Sequence, residues 1–148
     1  MPRSTFVNDE PCPVARSLDV VGDRWSLLIV RDAFDGMRRF GDFQCSLGMA
    51  RNILSDRLRK LVQAGILETT AASDGSAYQE YVLTPQGESL FPVMVALRQW
   101  GEQHLFEPGE RHSVLIDKHT GQPVSPMAPT AQDGSVLTPA TTEVRKLT

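Results

Sequence analysis

The sequence predicts a mainly α fold with one small β-hairpin, an α+β class, and three observations carry that prediction. Apolar residues recur at helical spacing in five segments between Cys12 and Leu105. Within that span the period changes once, to a strand-like one between Ile66 and Leu83. Two of the helical segments are joined by a short turn around Gly48, and the second carries a basic, amide-bearing outer face.

Residues 1–11 read as a polar N-terminal arm with two prolines. Cys12-Pro13 opens the first helix, because proline suits a first turn that needs no intrahelical donor. Val14, Leu18 and Val21 follow at i, i+4 and i+7, and Gly22 ends it. Asp23 is placed to cap a second helix carrying Trp25, Leu28, Ile29 and Ala33. Its run Leu27-Leu28-Ile29-Val30 is apolar over most of the surface, which places this helix at the centre of the domain. Asp35-Gly36 closes it. Phe40, Phe43 and Leu47 predict a two-turn helix over 39–47, stopped by Gly48.

The next helix spans about 51–64, with Gly65 behind it as a C-terminal stop. Leu54, Leu58 and Leu61 form its buried stripe, with Ala50 and Ile53 beside it. At 100° per residue the opposite side presents Asn52, Ser55, Asp56 and Arg59, with Arg51 on the flank and Arg57 nearer the buried edge. This pair of helices is a helix-turn-helix plan. Ile66–Thr70 and Tyr78–Leu83 then read as two strands around a turn at Ser73-Asp74-Gly75-Ser76, a candidate wing. A last helix is expected from Thr84-Pro85 to about Leu105, bent or delayed by Gly87 and Pro92.

Residues 107–148 contain no aromatic and half of the ten prolines. They predict an extended, partly β lobe packed on the main body, or a tail ordered by contacts with it. Turns are expected at His119-Thr120-Gly121 and Asp133-Gly134. The expected organisation is an arm at 1–11, a winged helix-turn-helix domain for DNA binding and dimerisation at 12–106, and the lobe or tail at 107–148.

Composition narrows the function classes. The longest hydrophobic run, Val93–Leu97, is far short of the roughly 20 residues of a membrane helix. No secretory pattern is visible at the N-terminus, so a cytoplasmic protein is expected. Two cysteines, Cys12 and Cys45, cannot make a disulfide-rich scaffold or a four-cysteine zinc site. The net charge of −3 divides into −2 over residues 1–37, +4 over 38–60 and −5 over 61–148. A basic segment inside an acidic body is what a directed nucleic-acid site requires, although a charge run also suits a plain solvated helix face. His104, His112 and His119 have no ligand spacing, and neither a phosphate loop nor a nucleophile elbow occurs. No enzyme, cofactor or metal site is expected.

Several spaced motifs resemble one family. Cys12-Pro13-Val14-Ala15-Arg16 with Leu18-Asp19, Gly22-Asp23-Arg24-Trp25 and Leu28-Ile29-Val30-Arg31 look like the opening of HxlR-type winged-helix regulators. Gly36, Arg38-Arg39-Phe40-Gly41-Asp42-Phe43, Leu54-Ser55-Asp56-Arg57-Leu58 and Leu61 continue the likeness. Gly65-Ile66-Leu67, Tyr81, Leu83-Thr84 and Gly87 complete it, so that it covers roughly residues 12–105. The resemblance implies a MarR-like, dimeric bacterial transcription factor, some of whose relatives sense electrophiles, quinones or oxidants through a cysteine placed like Cys12. Three departures stand out. Ala50 replaces the hydroxyl cap usual for the recognition helix, the segment Thr69–Leu83 lacks the usual arginine or lysine, and the C-terminal lobe lacks the zinc-ribbon cysteines of some relatives.

The site expectations follow. Arg51, Asn52, Ser55 and Arg59 are the candidate DNA-reading residues, since these side chains can pair with base edges or phosphates. Arg38 and Arg39 hold phosphates or pair with acids, and Arg57 is a candidate for pairing with a carboxylate. Cys12, at the head of a helix whose dipole favours a thiolate, is a redox-sensing candidate or else a small buried hydrophobe. Cys45 reads as core or surface filler. Val14, Leu18, Leu97, Trp100 and Leu105 would make a dimer interface, because the last helix shows more apolar surface than one small domain covers. The expected function is a homodimeric regulator, a repressor rather than an activator, that binds a pseudo-palindromic duplex operator and answers to an oxidant or small-molecule effector. The alternative is a dimeric ligand-binding or protein-interaction module of the same fold with weak DNA affinity.

Overall fold

Helix boundaries follow from local chemistry that the chain carries at each end. The structure, a computed structural model, describes residues 11–146, so most of the expected arm at 1–11 lies outside the described residues. Helix α1 (Pro13–Val21) begins on Pro13 behind an extended Cys12 and ends at Gly22. Helix α2 (Arg24–Phe34) is capped by Asp23, whose carboxylate accepts from the Trp25 and Ser26 backbone N–H groups at 2.9 Å each. Helix α3 (Phe40–Leu47) ends at Gly48 with φ of 63°, a left-handed conformation that favours glycine and turns the chain sharply. Helix α4 (Arg51–Gln63) begins on Ala50, which offers no side-chain cap.

The wing is an antiparallel pair, β1 (Leu67–Ala71) and β2 (Gln79–Leu83), with Leu67 opposite Leu83 and Ala71 opposite Gln79. A third piece of backbone reaches it, since the Tyr81 N–H donates to the Arg38 carbonyl at 2.7 Å. The single long helix expected from 84 to 105 is two: α5 (Pro85–Glu88) and α6 (Phe91–His104). Pro92 explains the break. It has no N–H for the Glu88 carbonyl, and its ring would strike that carbonyl in a continuous helix, so a new helix starts with Pro92 in its first turn.

The core of the first unit is one cluster of Ile29, Val30, Phe43, Met49, Leu54, Leu58, Leu61, Ile66 and Leu67. It sits between α2, the helix pair and the base of the wing. Phe43, Ile29, Leu54 and Leu58 are fully enclosed, each worth about 1.5–3 kcal/mol of burial. The stripe read on the fourth helix is therefore correct for Leu54, Leu58 and Leu61, but not for its neighbours. Ile53 is 44% exposed and Ala50 is exposed. Thr84 ties the wing to α5: its N–H donates to the Ile66 carbonyl at 3.0 Å and its hydroxyl accepts from the Gly87 N–H at 3.0 Å. Gly87 passes so close to that carbonyl that a Cβ there would lie 2.1 Å from the Ile66 oxygen.

The chain divides into two compact units, with the division between Met94 and Val95 inside α6. In the second unit Arg98 donates to the Ser113 carbonyl and hydroxyl at 3.0 Å each. Gln99 donates to the Ser125 carbonyl at 3.0 Å and accepts from the Met127 N–H at 2.7 Å. Two side chains of α6 thus hold the extended segment at 113–127. The expected turns are present, flanked by single bridges at Ile116–Pro123 and Thr130–Val136 rather than by strands. Asp117 and Asp133 carboxylates accept from backbone N–H groups two residues on and hold those turns.

Candidate nucleic-acid interface

Helix α3, the glycine turn and α4 present one continuous polar surface. The turn at Gly48 sends the chain into α4 with the leucine stripe on the core and the opposite face outward. Arg51, Asn52, Ile53, Ser55 and Arg59 are all exposed, as the 100° spacing expects for four of them. Asn52 and Ser55 have no side-chain hydrogen bond among the described residues, so their donors and acceptors stand open. Ile53 is the member that spacing missed. The helical repeat sets it beside the Leu54 stripe, but it is 44% exposed, and its methyl groups can meet a thymine methyl.

The cations differ in how free they are. Arg59 donates to Asp56 at 2.5 Å, three residues before it, and Lys60 Nζ lies 3.3 Å from the same carboxylate. Arg59 is nevertheless 58% exposed along its side chain, so its pairing is a weak surface contact that can be exchanged. Arg57 is structural. Its buried Nε lies 3.6 Å from Asp23 without a hydrogen bond, and its Nη1 is 3.9 Å from Asp56, so it links α4 to the cap of α2. Arg51 has no ion pair among the described residues and lies over the Phe40 ring, 5.1 Å from its centroid. That stacking keeps the guanidinium at the head of α4 while leaving its edge for an acceptor.

Arg38 and Arg39 are paired with acids of the wing. Glu80, 3% exposed, lies 3.6 Å from Arg38 Nη1 and 3.5 Å from Arg39 Nε, and Arg39 Nη2 also pairs with Asp74. Of the six cations in the basic segment, five therefore contact carboxylates, and the segment's charge of +4 overstates the positive field it projects.

The remaining candidates are placed as follows. Cys12 is half-buried at the head of α1, Cys45 is exposed on α3, and both are free thiols. Val14 and Leu18 are exposed on α1 (67% and 59%), as are Leu97 and Trp100 on α6 and Leu105 just beyond it. The Trp100 ring packs against His104, with centroids 5.2 Å apart. Among the described residues no group of three or more His, Cys, Asp or Glu is arranged to hold a metal ion, and no helix is long and apolar enough to cross a membrane.

Comparison with known proteins agrees with this geometry. The profile of the HxlR-like helix-turn-helix family matches residues 20–108. An uncharacterized HTH-type transcriptional regulator of Mycobacterium tuberculosis is 44% identical over 107 residues, 72% of this chain and 67% of that protein. The crystal structure of PA1607, a candidate transcription factor, superposes with a TM-score of 0.88 at 54% identity, covering 92% of this chain and 95% of that one. The redox regulator HypR in its reduced form superposes with a TM-score of 0.59 at 29% identity, covering 64% of this chain and 94% of its own. A winged helix-turn-helix whose outward face, core stripe and family profile coincide leaves one assignment: the chain belongs to the HxlR-like helix-turn-helix family of transcriptional regulators.

Proposed function

We propose that this regulator binds a pseudo-palindromic duplex operator as a homodimer, with α4 in the major groove, and acts as a repressor. The observation that carries the reading is the exposed row Arg51, Asn52, Ile53, Ser55 and Arg59 on α4, a helix whose opposite face is locked into the core. Arginine and asparagine supply paired hydrogen bonds to guanine and adenine, and Ile53 an apolar contact. Two copies related by a two-fold axis require two half-sites about one helical turn apart. The exposed apolar residues Val14 and Leu18 of α1, and Leu97, Trp100 and Leu105 in and after α6, are the surfaces assigned to the dimer.

Arg51→Ala is expected to weaken operator binding by about 1–3 kcal/mol if it reads a base, or to flatten the salt slope by about one unit if it holds a phosphate. Arg59→Ala is expected to do one or the other as well. Unchanged affinity and salt slope in both variants would overturn the placement of α4, and sedimentation as a monomer at micromolar concentration would overturn the dimer.

For regulation, the likeness to the redox regulator HypR supports Cys12 as an oxidant- or electrophile-responsive thiol. It sits at the N-cap of α1, whose outer face is assigned to the dimer. Bulk or charge added there would move the two recognition helices apart or together against a half-site spacing that the duplex fixes.

A further inference from the structure

The wing carries no cation of its own between Thr69 and Leu83, yet its tip is bound to one. Its two acids do different work. Glu80 is buried, accepts from the Ser73 N–H and hydroxyl at 3.3 Å each, and forms ion pairs with Arg38 Nη1 at 3.6 Å and Arg39 Nε at 3.5 Å. It holds the two arginines that lead into α3 beside the wing. Asp74 is 55% exposed along its side chain, at the hairpin tip. One of its oxygens accepts from the Ser76 N–H at 2.9 Å and the other from Arg39 Nη2. The Arg39 guanidinium lies 5.8 Å from the centre of the Tyr78 ring, held against the wing from a second side.

We propose that Asp74 is an affinity-setting residue of the nucleic-acid interface: in the free protein it holds the Arg39 guanidinium, and in the complex a backbone phosphate takes its place. The inference rests on the DNA-binding reading above. Its chemistry is an exchange of one oxyanion for another. Arginine pairs with phosphate through two parallel N–H donors as readily as with a carboxylate. The Asp74 contact is the closer of Arg39's two ion pairs, but it is exposed and so open to exchange with a solvent-borne oxyanion, whereas the buried Glu80 carboxylate 3.5 Å from Nε stays and keeps the guanidinium at the wing. Hydrogen bonds from the Ser76 backbone and side chain, with the Arg39 guanidinium beside them, hold the Asp74 carboxyl down at about 2, so it is charged at any pH of DNA binding. Every phosphate that reaches Arg39 must displace that charge. Because phosphate contacts are independent of sequence, Asp74 lowers affinity for any duplex and leaves base discrimination to α4.

The test compares wild type, Asp74→Asn, Arg39→Ala and the double variant. Each is titrated with an operator duplex obtained by selection and with an unrelated duplex, over a range of salt. Asparagine keeps an acceptor for the Ser76 N–H, so the turn is retained, and Asp74→Ser serves as a second variant. The expected result for Asp74→Asn is roughly three- to tenfold tighter binding near 0.1 M salt on both duplexes with a salt slope close to that of wild type, because the Arg39–phosphate contact forms in both, whereas Arg39→Ala should flatten the slope by about 0.9. The gain should vanish in the Arg39→Ala background. A gain that persists without Arg39 overturns the proposal, because Asp74 then acts by bulk repulsion alone. Unchanged or weaker binding by folded Asp74→Asn and Asp74→Ser also overturns it. If wild type shows no Arg51-dependent DNA binding, the DNA-binding reading fails and the proposal falls with it. If wild type binds through Arg51 and the Asp74 variants gain nothing, the proposal fails alone.

Discussion

Replacing Asp23 removes the joint between the central helix and the recognition helix. Its carboxylate caps α2 through two backbone N–H groups, accepts from the Ser26 hydroxyl, and faces Arg57 of α4. In Asp23→Ala the lost cap costs about 1 kcal/mol. The Ser26 side chain, 3% exposed, then loses its acceptor, which adds about 1–3 kcal/mol if no water replaces it. The Arg57 contact, at 3.6 Å and part-exposed on both partners, adds no more than about 1 kcal/mol. The expected loss is therefore about 2–4 kcal/mol, while Asp23→Asn, which still caps, should lose less than about 1.5 kcal/mol. The assay is urea unfolding at one fixed protein concentration, since subunit association would shift the midpoint.

Acid gives a second readout of the same joint. Burial pushes the Asp23 carboxyl up, but this is outweighed by the Ser26 side chain, the Ser26 and Trp25 N–H groups and Arg57, so it titrates below its ordinary 3.8. A depressed carboxyl stabilises the fold fully above 3.8 and loses that contribution as pH falls through its lowered value. The stability gap between wild type and Asp23→Asn should accordingly close on the acid side of 3.8. Asp23→Ala within about 0.5 kcal/mol of wild type, the usual size of a surface effect, would refute the reasoning, as would a gap that does not change with pH.

Three further outcomes are expected. Ala50→Ser, at an N-cap that is extended and has no side-chain cap, should raise stability by about 0.5–1 kcal/mol in thermal or urea unfolding; no gain would mean that the head of α4 is already satisfied. Gly87→Ala forces a Cβ to 2.1 Å from the Ile66 oxygen and 3.0 Å from Leu83 Cδ2, so unfolding should show a loss of about 1–3 kcal/mol and hydrogen exchange should quicken at Thr84; wild-type stability would show that α5 can move freely. Cys12→Ser should bind DNA as wild type does but keep it after diamide or a quinone; release by oxidant in that variant would transfer the switch to exposed Cys45 or to a non-covalent effector.

What was legible in the sequence was local. Pro13, Asp23, Gly48 and Gly65 mark helix ends by chemistry that acts within a turn, and all four stand where that chemistry predicts. The stripe of Leu54, Leu58 and Leu61 needs only the helical repeat. Ile53 shows the limit of that repeat: a residue 100° from the stripe is buried or exposed according to what packs there, and here it is left 44% exposed. Pro92 marks the break before Phe91, but whether a proline bends a helix or restarts it is decided by what packs around it, and here a new helix begins. The Arg39–Asp74 pair, 35 residues apart, depends on the wing folding back beside α3, and no spacing rule joins such residues. Glu80 in particular alternates like an exposed strand position, yet its two arginines allow it to be buried.

Whether α4 reads DNA from a two-fold dimer is decided by selecting bound sequences from a random duplex pool with the 148-residue chain. Enrichment of an inverted repeat whose half-sites lie about 10 base pairs apart is expected. The same selection with Arg51→Ala should lose preference at one symmetric pair of positions or lose enrichment throughout. A pool that remains random after selection with folded wild-type protein, or an enriched motif that Arg51→Ala and Arg59→Ala leave unaltered, would contradict that reading.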